Sequence, residues 1–180
     1  MYSSDNNNLH DHRISANQIL NLIESLGDDK LTAYFKQMDY SEEEKILYLY
    51  KKFNITPKYD QNNKLLPVSE TDQLAAVNKN GTAIEYIKNP SEDVQLAAVN
   101  KNGTAIYNII KKGINPSEEV QLAAVNKYSY AIEYIENPSE DVQLAAVNKS
   151  GTAIYYIIQK GIIPSEKVKQ IARDQGIKNV

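Results

Sequence analysis

Four lysines, Lys79, Lys101, Lys127 and Lys149, recur at one position of a repeated phrase, each preceded by an asparagine (Asn78, Asn100, Asn126 and Asn148). Ammonium groups spaced along one edge could follow a phosphate backbone or an acidic partner. A second account needs no ligand. Lysine at a helix C-terminus complements the dipole there, and asparagine satisfies backbone groups near a turn. Glutamate and aspartate at the opposite helix ends favour this second account.

Tyrosine is the other chemical signal, with 13 tyrosines against two phenylalanines and no tryptophan. Tyrosine gives a large contact area with few torsions to freeze, so it is enriched at binding surfaces. It also covers aliphatic layers while keeping its hydroxyl wet. The stretch from Ser69 to Pro116 is written again from Ser117 to Pro164, with ten differences in 48 positions. Eight of the ten fall after the lysine, in the turn, the following segment and the loop. Three of them add tyrosine: Asn80 becomes Tyr128, Thr82 becomes Tyr130 and Asn108 becomes Tyr156. A fourth reverses charge, from Lys88 to Glu136. A constant scaffold with a varying face predicts a partner-binding surface on Tyr128, Tyr130, Tyr155 and Tyr156, with Tyr107 and Glu136 beside it. Drift at tolerant surface positions is the rival explanation.

Catalytic chemistry has little to stand on. There is no glycine-rich phosphate loop, paired-histidine helix or nucleophile elbow. Both histidines, His10 and His12, fall in a polar N-terminal stretch without the further ligands a metal needs. Glu85-Tyr86 and Glu133-Tyr134 are adjacent carboxylate and phenol groups, but neighbours on a helix point about 100° apart. The expectation is a non-enzyme with no metal and no cofactor.

What must position these residues is a set of short helices. Ser-Glu pairs at 69, 91, 117, 139 and 165 start units of alternately 22 and 26 residues. Serine is a favoured N-cap, and the acidic residues after it suit the positive end of the dipole. Apolar residues on two sides of Val94–Lys101 suit a helix covered by both of its neighbours. Asn-Gly then turns the chain into a second helix, burying Ile84 and Ile87 in the short unit and Ile106, Ile109 and Ile110 in the long one. Gly113 and Gly161 fit a left-handed C-cap, with Ile114 and Ile162 packing back. At the ends, Asp72 replaces a valine, and Gln170 and Arg173 replace a leucine and a valine, as uncovered faces require.

The chain divides into a flexible arm (1–13), a helical N-terminal region with a connector (14–66), four helical hairpins (67–164) and a capping half-unit with a tail (165–180). Expected helices in the second part run from about Ser15 to Leu26, through Leu31, Tyr34, Phe35 and Met38, and from Ser41 to an end at Thr56-Pro57. A net charge of −3 is not the footprint of a nucleic-acid binder. The absence of cysteine excludes disulfides, and no apolar run approaches the ~20 residues of a membrane span. A cytoplasmic protein is expected.

The phrase NPSEDVQLAAVNKNGTAIEYI resembles a family of short helical repeats found in bacterial and viral proteins, and is similar in outline to leucine-rich-variant and HEAT-like repeats. The resemblance covers about residues 68–176. It implies an all-α fold, a right-handed α-solenoid used for binding, with another protein as partner. A phage inhibitor of a host defence system such as CRISPR-Cas, acting in the host cytoplasm, is one special case. Nucleic-acid binding through the lysine ladder is the alternative, and an enzyme ranks last.

Overall fold

The computed structural model describes residues 47, 48, 50–55, 58, 60–62 and 66–180. The arm, the first two expected helices and both histidines lie outside them. The described residues are all helical, with no strand. From Glu70 onward the order is α1 (Glu70–Lys79), the 3₁₀ helix η1 (Gly81–Tyr86), α2 (Glu92–Lys101), α3 (Ala105–Lys111), α4 (Glu118–Lys127), η2 (Ser129–Tyr134), α5 (Glu140–Lys149), η3 (Gly151–Ala153), α6 (Ile154–Gln159) and α7 (Glu166–Asp174).

Each Ser-Glu start opens a helix as the sequence predicts. The hydroxyls of Ser69, Ser91, Ser117, Ser139 and Ser165 accept from the backbone N–H three residues on, at 3.2–3.4 Å. A serine cap of this kind contributes about 1 kcal/mol. The same hydroxyls also join units, because Ser91 donates to Glu70, Ser117 to Glu92, Ser139 to Glu118 and Ser165 to Glu140. Ser69 instead donates to Asp72 at 2.6 Å, and Lys58 meets the same carboxylate at 3.4 Å. Asp72 is therefore tied into the first cap.

A glutamine in each unit fastens the preceding loop. Gln73, Gln95, Gln121 and Gln143 donate through Nε2 to the carbonyls of Val68, Pro90, Pro116 and Pro138 at 2.8–3.1 Å. That bond is what allows Gln95 and Gln143 to be only 8% exposed.

Helix α1 packs on α2, α2 on α4, α4 on α5 and α5 on α7, so each first helix rests on the next. Val94, Ala98 and Val99 are fully buried and Leu96 and Ala97 partly so, which bears out a helix covered on two sides. Behind this layer η1, α3, η2 and α6 contribute Ile84, Ile106, Ile109, Ile132, Ile154 and Ile157 to one continuous core.

The second layer departs from the expected α-helices. In the short units it is 3₁₀, because only six residues separate the cap at Asn80 or Tyr128 from Ile87 or Ile135, and i→i+3 bonds span that length sooner. Ile110 is half-buried, not buried like Ile106 and Ile109. Gly161 (φ 76°) makes the expected cap, with Gly161 N–H donating to Ile158 and Ile162 N–H to the Ile157 carbonyl. Gly113 (φ 77°) makes the shorter of those bonds, to Ile110.

Residues 47, 48 and 50–52 are helical. This helix ends before Thr56-Pro57, where Asn54 takes φ 54° and the Ile55 N–H reaches the Tyr50 carbonyl at 2.7 Å. Asparagine tolerates this left-handed position better than other non-glycine residues, so the stop comes two residues early. Tyr50 and Phe53 belong to the same core as Val68, Ala76 and Val77, and Lys79 of α1 donates to the Phe53 carbonyl, so this segment packs on α1. At the other end Gly176 (φ 86°) turns the chain back, and Ile177 and Val180 pack against the core.

Candidate functional site

The turn after each first helix sets the stage. In units one and two, Asn80 and Asn102 close it, each accepting through Oδ1 from the N–H and the hydroxyl of the threonine two residues on, at 2.8–3.1 Å. These are the asparagines after the lysine. Asn78, Asn100, Asn126 and Asn148 before it are exposed. Unit three has Tyr128-Ser129-Tyr130 here, and Tyr128 makes no side-chain cap. The Tyr130 hydroxyl instead pairs with the Thr152 hydroxyl of the next unit at 2.9 Å, and Thr152 pairs with Ser150 at 2.8 Å.

Three of the predicted tyrosines come together. The rings of Tyr128 and Tyr130 meet edge-on at 5.4 Å, and those of Tyr130 and Tyr156 at 5.5 Å. They come from the end of α4, from η2 and from α6, and each stands at a position that differs between the two copies. Tyr107 of α3 pairs with Tyr134 of η2 at 5.1 Å, and Lys111 Nζ lies 5.7 Å from the Tyr107 centroid. Tyr134 was missing from the sequence-based set. It matches Tyr86 of the first copy, so a comparison of differences passes over it. Only its packing against Tyr107 brings it into the group. Tyr155 is 51% exposed and stands apart from these ring contacts, and Glu136 lies in a depression of about 480 Å³ next to Ile110 and Ile135.

Electrostatics separates the two central phenols. Hydrogen bonding to Thr152, then to Ser150, holds the Tyr130 hydroxyl below the usual phenol range. Burial raises Tyr134, and so do Glu133 and the neighbouring rings of Tyr128, Tyr107 and Tyr156. As pH rises, Tyr130 ionises first. Stability that depends on neutral Tyr134 is present below the usual phenol range and is lost above it. The Tyr130 hydroxyl is turned to Thr152, and Lys111 lies over the Tyr107 ring, so charged and aromatic groups share this side of the molecule. Rings of this kind offer apolar faces together with hydroxyls that can donate or accept hydrogen bonds.

The lysine ladder is split. Lys79 donates to the Phe53 carbonyl at 2.7 Å and so fastens the N-terminal segment to α1. Lys101, Lys127 and Lys149 are exposed in the last turns of α2, α4 and α5, with acidic residues in the first turns of the same helices. Among the described residues no group of three or more His, Asp or Glu is placed to hold a metal, and no helix is long and apolar enough to cross a membrane.

Comparison with known proteins finds no family, no curated protein and no solved structure that matches this chain.

Proposed function

We propose that this protein is a non-enzymatic binding module, a right-handed α-solenoid of alternating short and long helical hairpins that engages another protein through its tyrosine face. The observation that carries this reading is the meeting of Tyr128, Tyr130 and Tyr156, three copy-specific tyrosines from three elements, in consecutive ring contacts. Neutral drift would have no reason to gather them. The successive packing of α1, α2, α4, α5 and α7 supports the solenoid. We read the module as an adaptor or an inhibitor. The special case of a phage inhibitor of host defence such as CRISPR-Cas, acting in the host cytoplasm, rests on the resemblance of the repeated phrase.

The test is a comparison of partners captured by the wild type and by Tyr128→Ala/Tyr130→Ala, with thermal unfolding as the control for folding. The expected result is loss of a partner that the wild type retains. Equal recovery by both proteins sinks the tyrosine face. A second reading, nucleic-acid binding, is favoured only by the exposure of Lys101, Lys127 and Lys149 at one end of successive helices. It requires affinity that falls steeply with salt, which tyrosine-mediated contact does not.

A further inference from the structure

The alternation of long and short units leaves a notch. Unit two runs on through Ile110 and the Gly113–Pro116 loop, whereas η2 of unit three stops at Tyr134 and its chain turns away at Ile135–Asn137. Between them lies an open depression of about 480 Å³. Ile110, Ile114 and Ile135 are among its apolar lining, and Gln121, Glu136, Asn115 and Asn137 are its polar lining.

Two features give the notch a chemical preference. Gln121 is the counterpart of Gln95 and Gln143, yet it is only partly buried where they are buried, because the notch opens over it. Its Nε2 donates to the Pro116 carbonyl at 2.9 Å, and a carbonyl can only accept. The amide orientation is thereby fixed, and Oε1 is left as an acceptor. Glu136 is exposed and makes no ion pair or hydrogen bond among the described residues, and it replaces the lysine that the first copy has as Lys88. Lys111, next to Ile110 in the chain, lies over the Tyr107 ring. The notch thus joins three isoleucines to a carboxylate, an amide oxygen and two asparagines.

We infer that this notch binds an arginine side chain presented by a partner protein. The methylene stem lies on Ile110, Ile114 and Ile135, as long cationic side chains lie along apolar surface. The planar guanidinium, with five donors and weak hydration, suits two separate acceptors better than a compact, strongly hydrated ammonium does. The volume falls within the roughly 300–1,000 Å³ range of ligand sites. The inference rests on the reading of the chain as a binding module, but it does not use the Tyr128–Tyr130–Tyr156 contacts.

The experiment is NMR titration of the full chain with the tripeptide acetyl-Gly-Arg-Gly-amide, with lysine and norleucine versions alongside. The expected result is saturable shifts in the Ile110, Ile114 and Ile135 methyls and the Gln121 side-chain amide, strongest for arginine. Glu136→Lys, which restores the residue of the first copy, weakens binding by about tenfold, the scale of one charge-assisted hydrogen bond. Shifts absent from the notch, equal binding of norleucine or lysine, or unchanged binding in Glu136→Lys each overturn the inference. Tyr128→Ala/Tyr130→Ala leaves the tripeptide affinity unchanged, so failure here is distinct from failure of the tyrosine face.

Discussion

The Ser117 hydroxyl does two things at once. It accepts from the Val120 N–H at 3.3 Å and donates to the Glu92 carboxylate of the preceding unit. Aspartate caps a helix about as well as serine but has no proton to donate at neutral pH, and it would set a second carboxylate against Glu92. Ser117→Asp therefore lowers stability by about 1 kcal/mol in denaturant unfolding, and adding Glu92→Gln, whose amide can donate, recovers part of the loss. If Ser117→Asp unfolds like the wild type, the link between units contributes nothing. The cap was legible in the sequence, because Ser-Glu before a helical phrase is local chemistry. The link to Glu92 was not, because it depends on how two helices line up across 25 residues of chain. Tyr134 was illegible for a related reason, since only packing shows that an unchanged residue completes the tyrosine group.

At the scale of elements, glycine after the first helix is needed for space, not for a left-handed turn. A Cβ on Gly103 would sit 2.7 Å from the Ala124 carbonyl oxygen and 2.8 Å from the Tyr128 Cβ. The backbone of α4 cannot yield as a flexible side chain would. Gly103→Ala is expected to cost about 1–3 kcal/mol, read as a lowered melting temperature. An unchanged melt would mean that α2 and α4 separate freely. Ser129 stands at the corresponding position of unit three, and nothing in the structure shows what makes room for it. Helix starts, the lysine ends and the positive φ at Gly113 and Gly161 followed from residue type alone. The 3₁₀ form of η1 and η2 did not, because it depends on the six-residue span between the cap and Ile87 or Ile135, and no residue type marks where that span ends.

Across the whole molecule, each end is closed by different means. At the N-terminal side Tyr50 and Phe53 cover α1, and Lys79 holds the Phe53 carbonyl. At the C-terminal side Gln175 accepts from the Gly151 N–H at 2.6 Å and donates to the Val147 carbonyl at 2.8 Å. Gln175→Ala leaves both groups to solvent. The expected readout is faster amide exchange at Gly151 with no change at Gly103, and equal exchange at Gly151 would show that the side chain closes nothing. The polar Gln170 and Arg173 were legible as replacements of the repeated leucine and valine. Asp72 marks no uncovered face, because Tyr50 and Phe53 join the core beside α1 and the Asp72 carboxylate takes the Ser69 hydroxyl. The reach of Gln175 across 24 residues was not legible either.

The serine–glutamate links span only 21 or 25 residues, and first helices touch mainly their immediate neighbours. Little of this architecture waits for distant parts of the chain to find each other, so the entropy of closing long loops hardly enters the barrier. Pairing between sequence neighbours is the kind of contact that favours fast folding in helical proteins. In the solenoid proposed above, structure would begin at any junction and grow in both directions from it.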